Sequence, residues 1–398
     1  MGRASSIAKV VGINVAGLAL ALVGAEIALR IVKPEALQAR LKMNELMRQG
    51  PDQAQGLFDF NTFHFQPNSQ GQQLHSEYQH SVQHDRFGWR NPCFDFTQPA
   101  SAVVIGDSYT YGIGVSDDDL MQCQANGLDP NQNIYALGLP GANIPQYITI
   151  LKTQANTINK VNTNNHPIDL MLCMGNDYEG LIAYGQASDN TQENPSEPLP
   201  SLNHTGLKAK LARFNTWFME QPRIADLNLV QAAKLAAMQG GSIKDHGSYY
   251  SNYGGQTFYK TNSPSKAKEL RLALQRIRAD FQREGFQLGQ IILIPDGSEI
   301  SLSRLKRDGQ LGGFSPDAID VDHKYDQLLE ACAAANISCV DFRPQLRGDD
   351  YYEFDGHFRP KGVKVMSQVF IDSKANRSLA LPTKSPIHSQ WADDGSSW

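Results

Sequence analysis

The chain has 398 residues, 41% hydrophobic and 19% charged, enough to bury a sizeable core. A net charge of −5 and a pI near 6.1 carry no basic excess, so no nucleic-acid partner is expected. Five cysteines in a chain this long exclude a disulfide-dense scaffold; Cys332 and Cys339 are close enough in sequence to bridge in an oxidising compartment, and buried free thiols are an equal reading for all five.

The first predicted element is apolar. Val10 to Ala25 is free of charge, and the stretch continues to Val32 with Glu26 and Arg30 embedded. The uncharged part falls short of the ~20 residues that span a bilayer. It reaches that length if Ile27 to Val32 join the helix and the charged ends snorkel to the interface. Arg3, Lys9 and the free amine precede it, as in a signal sequence, and Val23-Gly24-Ala25 has the look of a small-residue cleavage site. Arg30, Lys33, Arg40 and Lys42 follow it, so basic residues do not decide orientation. An uncleaved anchor over residues 1–33 is favoured over a cleaved signal peptide and over an ordinary buried helix. It implies a membrane partner and a catalytic domain on the extracytoplasmic side.

Residues 34–98 read as a polar linker, with "DRFGWRNP" (Asp85 to Pro92) its one distinctive patch. Trp89 and Arg90 are read as local packing in preference to a pocket border. His75, His80 and His84 are read as solvated. No cluster along the chain has metal-ligand spacing, and no glycine-rich loop cradles a phosphate, so no metal or cofactor is expected.

From there apolar runs recur: Ala102 to Gly106, Asn133 to Gly138, Asp169 to Gly175, Gln290 to Pro295 and Ser338 to Phe342. Short unbroken runs suit parallel strands covered on both faces. Helical patterns lie between them. Ser116 can cap one with Asp119 at its third position; Gln146 to Asn159, Lys266 to Glu284 and Tyr325 to Ala335 supply others. Alternation of this kind predicts a three-layer α/β domain with a parallel five-stranded sheet over residues 99–372. The gap between the third and fourth strands is too long for one crossover. It holds a helical insertion at about 185–263, with helices at Lys208 to Met219 and Ile224 to Met238. The aromatic "YYSNYGGQTFY" (Tyr249 to Tyr259) there either stacks on a sugar or packs the insertion. Residues 373–398 read as a disordered tail.

In an open parallel sheet, ligands bind beyond the carboxyl ends of the strands. Each distinctive polar group falls there: Ser108 after the first strand, Gly138 and Gly141 after the second, Gly175-Asn176-Asp177 after the third, and "FDGHFRPKG" (Phe354 to Gly362) after the fifth. This set resembles the SGNH (GDSL) hydrolase family of esterases, lipases and acetyltransferases. Gly106-Asp107-Ser108 matches the block whose serine is the nucleophile. Gly141 stands at the oxyanion glycine, Asn176 at the asparagine that completes the oxyanion hole, and His357 at the base. The resemblance covers roughly Asp85 to Ser373 without the insertion, and it implies a flavodoxin-like SGNH fold. The anchor, the "FGWR" patch and "DGHF" look most like exported members that modify cell-surface polysaccharide.

The residue types make chemical sense on their own. A serine hydroxyl needs a base to take its proton, and an imidazole titrates in the right range. Attack on an ester carbonyl builds charge on oxygen, which the N–H groups of Ser108 and Gly141 and the Asn176 amide would stabilise. Thr110 stands where an α/β-hydrolase elbow needs glycine, so the run is not that motif. Asp107 and Asp177 are read as structural, accepting backbone N–H bonds. The resemblance departs at the last block: the commonest form, Asp-x-x-His, would put the acid at 354, where Phe354 stands. Asp355, two residues before His357 with Gly356 between, is favoured over Glu353. The expectation is an esterase that cleaves an O-acyl, chiefly O-acetyl, ester through an acyl-serine, with an acyl-ester substrate that includes glycans. An O-acetyltransferase of a surface polysaccharide is the alternative, and a non-catalytic carbohydrate-binding or assembly protein is the alternative of another class.

Overall fold

The computed structural model describes residues 21, 23–28, 31–32, 58–59, 63–75, 77–189, 266–306, 319–353 and 355–375. The chain divides into two compact units, and the described residues before 33 belong to one, the rest to the other. In the first unit the described residues between Ala21 and Val32 are helical, and Val23, Ile27, Ile31 and Val32 are exposed. Among the described residues no helix is long and apolar enough to cross a membrane. The transmembrane helix expected over residues 1–33 therefore finds no support in them, and most of that segment lies outside them. The insertion beyond Asp189, with its aromatic stretch, and the tail beyond Ala375 also lie outside.

The second unit opens with a short antiparallel pair, β1 (Phe58–Asp59) and β2 (His64–Phe65), and a hairpin, β3 (Gln70–His75) and β4 (Tyr78–Gln83). The five apolar runs then form β5 (Ala102–Gly106), β6 (Ile134–Gly138), β7 (Ile168–Cys173), β8 (Leu288–Ile294) and β9 (Cys339–Asp341). They pair in parallel in the order β6-β5-β7-β8-β9, with Gly106 opposite Gly138. That is the flavodoxin-like order, which reverses direction at β5.

The strands are apolar throughout because both sheet faces are covered. Val103, Ile105, Leu170, Leu172, Ile291 and Leu293 enter one core. Their alternates Val104, Met171, Cys173, Ile292 and Ile294 enter a second. Successive strand side chains point to opposite faces, so one run feeds both layers. Between strands come α1 (Ser108–Tyr111), α2 (Met121–Leu128), α3 (Ile144–Thr153), α4 (Ala155–Val161) and α5 (Asp177–Asp189). After the insertion follow α6 (Ala267–Arg283), the short α7 (Gly297–Ile300), α8 (His323–Ala334) and α9 (Pro360–Ala375). Helices α3 to α6 and α8 supply the first core, and α2 and α9 the second.

Local departures have local causes. The helix expected from Gln146 to Asn159 breaks at Gln154, whose ψ of 13° interrupts the ladder. Asn143 starts it, its N–H donating to Gln146 Oε1 at 3.2 Å. Ser116 does not cap an α-helix: its hydroxyl donates to Asp119 at 2.7 Å, residues 117–119 form a 3₁₀ turn, and α2 begins at Met121.

The larger departure is the segment read as a linker. Residues 63–75 and 77–98 are part of the packed body: Phe65, Val82, Trp89 and Phe94 are buried in the first core. Arg90 is buried too, donating to the carbonyls of Gly112 at 2.6 Å and Val115 at 2.7 Å and to Asp117 at 2.8 Å. Trp89 and Arg90 thus pack locally. His84 is not solvated: it is 4% exposed, stacked on Phe65 and bonded to Ser69 and Tyr111. His80 is half-buried and bonded to the Gly114 carbonyl, and His75 is half-buried against Tyr78. Disulfides join Cys93 to Cys123 and Cys332 to Cys339, and Cys173 is a buried free thiol.

Candidate active site

Ser108 is placed by the end of β5. Asp107 caps α1, its Oδ1 accepting the Tyr109 N–H at 3.0 Å, so Ser108 is the first residue of the helix and not its cap. The helix lies across the end of β6, and a Cβ on Gly138 would come within 2.2 Å of the Tyr111 nitrogen. Only glycine allows that approach. Ser108 is left half-buried at the carboxyl end of the strand where the sheet order reverses.

His357 arrives from a loop between β9 and α9. Tyr351 and Phe358 pair antiparallel, and the Tyr352 N–H donates to the His357 carbonyl at 2.9 Å. At the tip Gly356 has φ +83°, a left-handed conformation that turns Asp355 back toward the ring. His357 Nδ1 lies 2.7 Å from Asp355 Oδ2, and Nε2 lies 2.8 Å from Ser108 Oγ. An ionised Asp355 can only accept, so Nδ1 carries the proton and Nε2 is left to accept the hydroxyl hydrogen. The Glu353 carboxylate lies 3.8 Å from Arg304 and is 40% exposed.

The electrostatics arise from this line of contacts. Burial works to lower the His357 pKa, but the adjoining Asp355, helped by Asp107 and Asp296, outweighs it and the net direction is up. For Asp355, burial works upward, and His357, His75 and a hydrogen bond from Tyr78 together carry it below the usual value. Each group favours the ionised form of the other.

Gly141 and Asn176 sit beyond the ends of β6 and β7, on either side of β5, and both are exposed. Gly141 has φ +74° with open space where a Cβ would be. Asn176 lies in the turn before α5, with its side chain on the Asp107 side of that turn, where it works to lower the Asp107 pKa. Burial raises Asp107 to about 6, against the pull of Tyr109, His357 and Asn176. Asp177 is raised well above the carboxylate range by burial and then by Asp107. Its Oδ2 accepts the Cys173 N–H and the Tyr147 hydroxyl, both at 2.9 Å. Both aspartates thus accept backbone N–H bonds, as expected.

Several supports carry no sequence signal. The Tyr109 hydroxyl donates to the Gly356 carbonyl at 2.9 Å, tying the Ser108 helix to the His357 loop. Arg304 is buried and donates to the carbonyls of Tyr352 at 2.6 Å and Tyr351 at 3.1 Å. Buried Lys324 donates to the Met174 carbonyl at 2.7 Å, two residues before Asn176, and pairs with Glu299. Burial draws Lys324 down to about 7. Among the described residues no group of His, Cys, Asp and Glu is arranged to hold a metal ion.

No family model matches the chain, and no curated protein does. Among solved structures, a member of the lipolytic protein G-D-S-L family from Veillonella parvula aligns at 12% identity over 68% of this chain and 96% of its own, with a TM-score of 0.33. Two more align at 11% identity over 70% of this chain and 97% and 99% of theirs, with TM-scores of 0.32 and 0.30. Likenesses this distant carry no argument about activity.

Proposed function

We propose that the protein is a serine hydrolase of ester bonds, with Ser108 as nucleophile, His357 as general base and Asp355 as the acid that orients it. The observation that carries this reading is the unbroken line from Asp355 through His357 to Ser108, at 2.7 and 2.8 Å. His357 Nε2 takes the Ser108 proton as Oγ attacks the acyl carbon. The charge that develops on the carbonyl oxygen meets the N–H groups of Ser108 and Gly141 and the Asn176 amide. Collapse expels the alcohol, which takes the proton from Nε2 and leaves an acyl-serine. Water, activated by the same nitrogen, then releases the acid. A sugar hydroxyl in place of water makes the same protein an O-acetyltransferase, and an O-acetyl glycan is the proposed substrate class. His357 acts as base in its neutral form, so its raised pKa makes activity fall as pH drops through a value above 6.5.

The apolar segment at the N-terminus supports an extracytoplasmic place at a membrane. The disulfides suit an oxidising compartment. The test is direct. A fluorophosphonate probe should label the wild type at Ser108, and Ser108→Ala should lose both labelling and cleavage of an activated acetyl ester. Labelling or turnover that survives the substitution overturns the assignment.

A further inference from the structure

We infer that Glu77, at the turn of the β3–β4 hairpin, is a positioning residue for Asp355; the inference rests on the ester-hydrolase reading. Glu77 Oε1 accepts the Glu353 N–H at 2.8 Å, and Oε2 accepts the Asp355 N–H at 2.9 Å. One carboxylate therefore grips the loop backbone on both sides of residue 354. Its side chain is 14% exposed, so little water competes for those two amides. Charge-assisted bonds of this kind are stronger than neutral ones and fix direction as well as distance.

The residues around Glu77 face the same loop. Tyr78 hydrogen-bonds the Asp355 side chain and packs on Tyr352, their rings 5.0 Å apart. His75 stacks on Tyr78 at 5.0 Å and accepts the Glu77 N–H at 3.3 Å. The hairpin also holds the other half of the site. Gln73 Oε1 accepts the Gly114 N–H at 3.1 Å, and His80 and the Tyr352 hydroxyl meet the Gly114 carbonyl at 2.9 and 2.8 Å. Gly114 follows the Ser108 helix by three residues. The hairpin is thus a bracket that sets the Asp355 backbone at a fixed place relative to Ser108. Glu77 is its contact with the acid, and the carboxylate reaches His357 at the right angle only while that contact holds.

Glu77→Gln in the full chain tests this. The amide keeps the shape, but it has one accepting oxygen for two N–H groups and turns a donor toward the other. The kcat for an activated acetyl ester and the fluorophosphonate labelling rate should fall about ten- to hundredfold, with KM within twofold, the size expected of a misplaced group. The acid limb of the pH profile should move to lower pH, because a displaced Asp355 raises His357 less. With Asp355→Asn already present, Glu77→Gln should cost under about twofold more, since the two act as one unit. An unchanged kcat and acid limb, or losses that add fully with Asp355→Asn, overturn the inference. Should Glu77→Gln fail to fold, Glu77→Asp keeps the charge, reaches one amide and is judged by the same readings. A wild type that the probe does not label fails the hydrolase reading instead. Amide exchange at Glu353 and Asp355 then decides the grip: faster exchange in Glu77→Gln supports it, and unchanged exchange refutes it.

Discussion

The Ser108 turn and the His357 loop meet across one 2.8 Å contact, and they are held in different ways. Ser108 follows a buried strand directly, and its helix is capped by the residue before it. Its own turn is set within a few residues and by the glycine at the end of the neighbouring strand, while Arg90 and the hairpin bond the residues that follow its helix. The His357 loop is anchored from far along the chain. Arg304 binds its carbonyls from 48 residues away, Tyr109 reaches Gly356 from 247, and Glu77 holds the Asp355 N–H from 278. A serine turn of this kind can be written as a short motif because the sheet edge does the placing. A loop off the sheet, like the one that carries Asp355 and His357, has to be surrounded.

The sharpest way to break the comparison is at Asp355, the proposed acid. Asp355→Asn should lower kcat by up to ~10⁴, the size seen when a triad acid is replaced. Glu353→Gln, beside Arg304, should change it little. A crippling effect of Glu353→Gln in steady-state assays would mean that the loop rearranges to present the other carboxylate.

On the strand-end half, Asn176→Ala should lower kcat by ~10²–10³, as loss of one oxyanion donor does. Because Asn176 is exposed, the thermal midpoint should stay put. A fall in midpoint with little change in kcat would make Asn176 a turn residue and remove it from the proposed oxyanion hole.

The smallest effect lies under the Ser108 helix, where His84 bonds the Tyr111 hydroxyl. Burial, then the charge of Arg90, pushes His84 from its usual 6.5 down to about 4. Between those values the unfolded chain takes up a proton that the folded protein refuses. Stability is therefore present above pH 6.5 and is lost as pH falls toward 4, by at most about 3 kcal/mol. His84→Gln should flatten the dependence of the thermal midpoint on pH across that window, at some cost to the midpoint at pH 7. An equally steep dependence in the variant would place the acid sensitivity elsewhere.

Legibility in the sequence divides along the same line. Five apolar runs announce the strands because both sheet faces are covered. Ser108, Asn176 and His357 stand out because each sits in a short glycine-bearing block just past such a run or in the last loop. The hairpin does not stand out. "QGQQLH" and "YQHSVQ" carry glutamine and histidine where an ordinary strand would alternate apolar residues, and of their two buried positions, Gln73 and Val82, only one is apolar. What holds it are partners such as Gly114, Glu353 and Asp355, which no local window contains. His84 reads as solvated for the same reason: its polar neighbours in sequence are not its neighbours in space, which are Phe65 and Tyr111. Cys93 and Cys123 likewise lie 30 residues apart, with no spacing rule to join them.

That last bond gives Ser108 an unusual covalent setting. β5, Ser108 and the whole of α1 lie between Cys93 and Cys123, inside a closed ring of chain. The ring persists when everything else melts. It removes about 3–4 kcal/mol of configurational freedom from the denatured ensemble, on the chain-entropy account. The half of the site that owes least to distant contacts is therefore the half most indebted to redox chemistry. Made where thiols stay reduced, the same sequence would have to assemble its serine turn from an open strand of polymer.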